Sequence, residues 1–419
     1  MKTVIVGAGV IGLSCAYELA ELGHEVAVVD SGAIGAGASA GNAGWVVPFL
    51  STPRAAPGAV RDALKSFTSS EGPARMRPQL DAGFAGFVSR FLMASSKRPS
   101  AARTAALQSL AGGAIEHFDS LVARGVQFEQ HADGLGVVFK DEANLAHYEQ
   151  LADRMCALGY SGEIKVYRGT EVAAFDPAIS RSVAGVMHLA DERHVRPESL
   201  TQGLAKAILD RGGHIIEHEA VTSIVPRGGG WAVTTAYGRV LDSDQALVAA
   251  GYPSRALLAP LGLRLPLEAA KGTSMTARGS GTAPKRPLKL YENMVACSPF
   301  GDAVRLSGTF DIGRRDFTLS RKRLDMVVRH GLSYLEDWKP TDIEVEWVGH
   351  RPTSSDDTPI IGPAPALPGL YVATGHGTLG VTLGPVTGHL VAQEMAIGQP
   401  RPELDAFRPT RFSARRRNR

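Results

Sequence analysis

VIVGAGVIGLSCAYELAELGHEVAVVD, from Val4 to Asp30, admits two readings: an export signal behind Lys2, or the first strand, turn and helix of a nucleotide-binding unit. The register of its glycines separates them. Thr3 to Val6 is β-branched, as a buried parallel strand prefers. Gly7, Gly9 and Gly12 then form G-x-G-x-x-G, and Leu13, Ala16, Tyr17 and Leu19 follow on one helical face. A second β-branched run, Val26, Val28 and Val29, ends in Asp30. In this arrangement Gly7 lets the chain turn, Gly9 lets backbone approach a pyrophosphate, and Gly12 lets the helix lie close to the strand. The opening of the helix at Val10 and Ile11 meets the phosphate charge, and Asp30 can accept hydrogen bonds from a ribose. An export signal needs no such register. Glu18 and Glu21 would interrupt its apolar core, and no A-x-A-like cleavage site follows. The stretch reads as a dinucleotide site.

With 419 residues the chain has room for two domains with cores of their own. Its 44% hydrophobic and 21% charged residues are those of a globular protein and exclude a disordered one. No apolar run reaches the roughly 18 residues a membrane helix needs. Three cysteines, Cys15, Cys156 and Cys297, lack CxxC pairing, which argues against a disulfide framework or a zinc site and suits a reducing cytoplasm. A net charge of +3 is too small to imply nucleic acid. The tail RFSARRRNR is the basic exception: a solvated terminus, or else a weak attraction to anionic lipid.

Beyond Asp30 comes a small-residue loop, SGAIGAGASAGNAGWVVP. Thr52 to Gly125 then reads as helical segments split by Pro and Gly, one with Phe84, Phe87, Val88, Phe91 and Leu92 at core spacing. GLGVVFK reads as a strand and Glu142 to Leu158 as a helix. Pro197 and Glu198 suit a helix start, and Gly212 and Gly213 its end. HIIEHEAVTSI reads as the next strand, and WAVTTAYGRVLDSDQALVAAG as a hairpin and a strand ending at Gly251. Tyr252 to Trp347 departs from this pattern and is strand-rich, and GLYVATGHGTLGVTLGPVTGHLVAQEMA closes with strand, glycine turn and helix. The pattern is one nucleotide domain in three segments with a second domain inserted twice.

Three stretches carry a resemblance: SAGNAGWVVP with APG shortly after, WVGHRPTSSDDTPIIGPA, and LYVATGHGTLGVTLGPVTGHL. Together they resemble the flavoenzymes that oxidise the amines of amino acids, typified by D-amino acid oxidase, glycine oxidase, sarcosine oxidase and bacterial D-amino acid dehydrogenase. The dehydrogenase branch is the most similar, and the match runs through AFRPTRF near the end of the chain. The resemblance implies an α/β fold of the D-amino acid oxidase type. A discontinuous Rossmann-like FAD-binding domain takes residues 1–50, 190–252 and 345–405. An α+β substrate domain takes 51–189 and 253–344, and 406–419 form the C-terminal end and basic tail.

A flavin must be held along its length with little side chain in the way. Ala38 to Gly44 offers small residues and backbone N–H groups, Ala43 and Gly44 among them, with Ser39 and Asn42 able to hydrogen-bond the pyrophosphate or ring edge. In ATGHGTLG, Gly375 and Gly377 permit close approach, and Thr378, Leu379 and Gly380 bring N–H donors at a helix start. Reduction builds negative charge on the flavin's N1–C2=O edge, which such a terminus stabilises. His376 faces substrate or ring, or is a buried core histidine; both stay open. The resemblance places main-chain contacts to adenine at Val221 and a backbone turn near the nucleotide at Gly251. It places the substrate carboxylate on Arg351 of GHRP, whose guanidinium binds a carboxylate bidentately and stays charged. Tyr291 is a further candidate for carboxylate or amine contact.

The implied reaction is hydride transfer from the α-carbon of a D-amino acid to flavin N5, giving an imino acid that hydrolyses to a 2-oxo acid and ammonia. Cyclic imino acids such as D-proline or D-hydroxyproline are candidate substrates. His350 stands where some relatives attach flavin through cysteine, so noncovalent FAD is expected. AVRLSGTF places no oxygen-activating lysine, which favours a quinone or other carrier as acceptor. No metal is expected, since no H-E-x-x-H or similar ligand spacing occurs. Two alternatives stay open: an oxidase of glycine, sarcosine or D-amino acids that makes hydrogen peroxide, and a non-catalytic flavin redox sensor, against which Arg351 argues. The expected location is cytoplasmic, with the tail a candidate for peripheral contact with the inner membrane face.

Overall fold

The computed structural model describes residues 1–56 and 72–412. Pro57 and Gly58 of the APG motif and the basic tail after Phe412 lie outside the described residues. The opening fingerprint folds as strand Lys2–Val6, helix Val10–Glu21 and strand Glu25–Val29. The two strands pair in parallel, Val4 with Ala27 and Val6 with Val29. They belong to a six-stranded sheet in the order His214–Ile216, Glu25–Val29, Lys2–Val6, Gln245–Val248, Leu370–Thr374, Ile360–Pro363. The last strand is antiparallel and the others are parallel. Both faces are covered, which is why these strands are apolar on both sides. On one face Leu13, Tyr17, Leu204, Ile208 and Leu383 from three helices pack with Ile5, Val28 and Leu247. On the other, Ile224, Trp231 and Val233 of an antiparallel three-stranded sheet pack on Val4, Val29 and Val248.

HIIEHEAVTSI is two strands rather than one, His214–Ile216 and Val221–Arg227. The break falls at His218, which takes a left-handed φ of 57°. The physical reason is a change of layer: the first half extends the parallel sheet beside Glu25–Val29, and the second belongs to the antiparallel cover. The turn is held by N–H donation from His218 to Gly32 O and from Glu219 to Asp30 O.

The second large sheet has nine strands. Lys339–Ser354, Leu267–Ser280, Ala303–Ile312, Val295–Phe300, Leu288–Leu290, Leu135–Phe139, Gly185–Leu189 and Ile164–Arg168 follow in that order, with Ala74–Met76 beside Ala303–Ile312. Helix Ala82–Ala94 starts at Asp81, whose carboxylate accepts from Phe84 N–H. Its Phe84, Phe87 and Phe91 stack in series, with centroids 6.5 and 6.3 Å apart, and Phe84 and Phe87 pack on Phe310 and Ile312. Leu92, the last residue of that apolar spacing, is exposed.

Candidate functional site

Four of the parallel strands of the first sheet end on one edge, and the candidate residues follow them: Gly7 to Gly12, Asp30, Gly251, and Gly375 to Gly380. A crevice at the carboxyl ends of such strands is where this architecture binds ligands. Gly7 turns at φ 116°, and a Cβ there would lie 2.5 Å from Ala249 O. A Cβ on Gly12 would lie 1.9 Å from Gly7 O, so the helix packs on the turn with nothing between. Gly9 differs: its Cβ would meet only Ser39 Oγ, at 3.4 Å. The first intrahelical bond runs from Leu13 N–H to Gly9 O, so the N–H groups of Ile11 and Gly12 have no intrahelical acceptor. Val10 N–H donates to Ser39 Oγ at 2.9 Å. Asp30 braces the turn, accepting from Ala8 N–H at 2.6 Å and Gly32 N–H at 2.8 Å, and each oxygen keeps a second lone pair. Free helix N-terminal donors beside an uncrowded glycine fit the pyrophosphate of FAD.

The small-residue loop is fastened to the nine-stranded sheet. Asn42 Oδ1 accepts from Gly44 N–H at 2.8 Å, and its backbone O accepts from Arg305 Nη1 at 2.9 Å. Ala43 O accepts from Ser298 Oγ, and Gly44 O from Val195 N–H, each at 2.8 Å. The Trp347 indole fills the place of a side chain at Gly41. Val221 opens its strand opposite Thr235, two residues after Glu219 donates its N–H to Asp30 O. Gly251, at φ 62°, accepts from Thr374 Oγ1 at 2.9 Å.

At the opposite end of the crevice the glycine turn is locked to the long strand carrying Arg351. Gly377 N–H donates to Pro352 O at 2.9 Å, and His376 bridges Thr353. Of the three expected donors, Leu379 N–H is spent on His376 O at 2.9 Å, because the chain turns there to enter helix Gly380–Ile397. Gly380, in the first turn of that helix, has no intrahelical acceptor for its N–H. His376 points inward, 4% exposed, with Nε2 at 3.2 Å from Thr387 Oγ1 and no partner at Nδ1. Burial pushes its pKa down to about 3, so the ring is neutral.

Arg351 lies across Gly272, where a Cβ would be 2.0 Å from its Nη1. Nη1 donates to Thr309 O at 2.9 Å. Burial, then the like charge of Arg54, push its pKa down to about 10, against the pull of Asp311; it is a cation at neutral pH. Asp311 itself is held by both arms of Arg323, at 2.7 and 3.1 Å.

Two further cations went unnoticed in the sequence. Arg54, just before the APG motif, donates from Nη2 to Thr378 Oγ1 at 2.6 Å and stacks on Phe310, 4.0 Å from the ring centroid. Its Nη1 is buried without a partner. Lys289 places Nζ 3.2 Å from Tyr148 OH, and burial, then Arg54, push its pKa down to about 8. Tyr291 packs on Phe139 and Tyr148, with centroids at 4.9 and 5.3 Å, beneath the Lys289 ammonium. Its link to Arg351 therefore runs through Lys289 and Arg54 rather than by contact. Arg54, Lys289 and Arg351 are each part-buried, and Arg54 and Arg351 meet the adjacent residues Phe310 and Thr309.

The chain is similar to known proteins. Residues 2–394 match the family described as FAD dependent oxidoreductase (DAO). A D-amino acid dehydrogenase of Chromohalobacter salexigens is 31% identical over 99% of this chain and 100% of its own. One from Rhodopseudomonas palustris is 32% identical over 97% and 96%. The glycine oxidase structure from Bacillus cereus superimposes with a TM-score of 0.75 at 21% identity, covering 97% of each chain, a likeness of fold. The chain therefore belongs to the DAO family of FAD-dependent oxidoreductases.

Proposed function

We propose that this enzyme is a D-amino acid dehydrogenase, oxidising the α-carbon and amine of its substrate and passing the electrons to a quinone or other carrier. The observation that carries the reading is Arg351, a charged, part-buried guanidinium beside the glycine turn, with its Nη1 alone engaged by Thr309 among the described residues. Such a group is poised for a carboxylate. When bound, FAD supplies the acceptor for a hydride. The protein's own part is positioning: Arg351 fixes the carboxylate and so the direction of the α C–H. The cations around it also disfavour an ammonium, so the substrate amine is bound neutral, with its lone pair ready to form the C=N bond as the hydride leaves. Water then hydrolyses the imine to a 2-oxo acid and ammonia. The rate rises with pH as the substrate ammonium loses its proton. The dehydrogenase relatives support the D-configuration and the carrier.

Anaerobic mixing of holoenzyme with D- and L-amino acids, D-proline and D-hydroxyproline included, tests this. D-substrates bleach the flavin, and a quinone restores the colour faster than air does. Bleaching by none, or by L-amino acids alone, contradicts the proposal; equal restoration by air moves it to the oxidase reading.

A further inference from the structure

Arg351, Arg54 and Lys289 together carry more positive charge than one carboxylate can use. Arg54 acts on both other cations, depressing the pKa of Arg351 and of Lys289. Arg351 and Lys289 stand four strand steps apart in the nine-stranded sheet, and Lys289 is level with Trp347 of the Arg351 strand, so their backbones are about 23 Å apart along a flat sheet. Arg54 lies over Phe310 of an intervening strand, beside the Thr309 carbonyl that accepts from Arg351. Compensation from protein is thin. Among the described residues the acids that bear on this group are Asp357 and Asp311. Asp357 accepts the backbone N–H of Arg54; burial raises its pKa, and the Arg54 charge and this hydrogen bond oppose the rise. Asp311 is occupied by Arg323. A buried charge without a partner is costly, so like charges gathered at a part-buried site are explained by a ligand that brings the counter-charge.

We propose that the substrate is an amino acid with a second carboxylate, its α-carboxylate on Arg351 and the second on Arg54 with Lys289. This rests on the amino-acid reading above and narrows it. The second carboxylate belongs either to the side chain or to a substituent on the amine; the cation pattern suits both. Arg54 is then a specificity-determining residue. Its free Nη1 and the Lys289 ammonium are the donors that a neutral side chain would leave unsatisfied.

The test compares matched pairs on holoenzyme with a dye acceptor: D-aspartate with D-asparagine, D-glutamate with D-glutamine, and N-(carboxymethyl)glycine with N-methylglycine. In parallel, succinate and its monoamide are titrated into the oxidised holoenzyme, and the perturbation of the flavin spectrum is read. The acid exceeds its neutral partner by about 30-fold or more in kcat/KM in at least one pair, and succinate binds tighter than the monoamide by a similar factor. The responding pair tells which position carries the second carboxylate. Arg54→Leu lowers the acid-to-neutral ratio by about tenfold or more, and Arg54→Lys keeps most of it. If Arg54→Leu fails to fold, the wild-type pairs and the titration decide. Neutral partners oxidised as well as the acids, with succinate bound no tighter than its monoamide, overturn the proposal and leave the amino-acid reading standing. Oxidation of no amino acid, acidic or neutral, removes that reading and this inference with it.

Discussion

Arg351 is held by what is missing beneath it. Gly272 leaves the space that the guanidinium occupies, and the obstacle a Cβ would meet is the mobile end of that side chain. Gly272→Ala therefore folds and keeps FAD, but displaces the carboxylate clamp. A shift of about 1 Å costs on the order of 10- to 100-fold in kcat/KM. Flavin content and steady-state kinetics of the purified variant check this; unchanged kinetics would place the carboxylate elsewhere. Arg351 stands out in the sequence through the family resemblance that GHRP carries. Arg54 and Lys289 do not, because an arginine in a loop and a lysine between two leucines are ordinary on a surface, and only the tertiary fold buries them in part.

Two glycines of the fingerprint helix separate folding from cofactor binding. A Cβ on Gly12 runs into backbone, the Gly7 carbonyl, whereas one on Gly9 meets a single hydroxyl at ordinary distance. Gly9→Val is expected to give a folded protein without flavin colour, and Gly12→Val a destabilised or insoluble one. Circular dichroism with FAD quantitation checks both; Gly9→Val at full FAD occupancy would undo the pyrophosphate assignment. The fingerprint was readable because strand, turn and helix are local. The double strand inside HIIEHEAVTSI was not, because the change of layer at His218 depends on two sheets meeting. Helix Ala82–Ala94 was readable from its phenylalanine spacing, although its buried face stops short of Leu92.

Across the molecule, buried titrating groups set the pH of greatest stability. His376 is pushed down to about 3 by burial, and His194 to about 4 by burial and then by His131. Both stay neutral in the fold, while an unfolded histidine takes a proton near 6.5. Stability is therefore lost as pH falls below 6.5, by up to about 1.4 kcal/mol per pH unit for each. Glu192 has the opposite sign. Burial raises it to about 8, so its proton favours the fold, and that contribution is lost as pH rises from about 4.5 to 8. These groups put the optimum near pH 6.5. Glu192→Gln should flatten the fall in Tm from pH 6.5 to 8 and leave the acid limb in place; an unchanged alkaline limb would contradict it. Acid or heat should also release the flavin into solution, since His350 is bonded to Asp316 O and packed on Phe317. In the proposed arrangement two sheets meet to hold FAD against a substrate carboxylate gripped by Arg351. Its most direct test is the kcat/KM of Arg351→Ala for an amino acid and for the corresponding amine without a carboxylate. Arg351→Ala is expected to retain FAD, to lose about 2–5 kcal/mol on the amino acid, or about 30-fold to several thousand-fold, and to lose its preference over the amine. Amino-acid oxidation within a few-fold of wild type, with that preference intact, would contradict it.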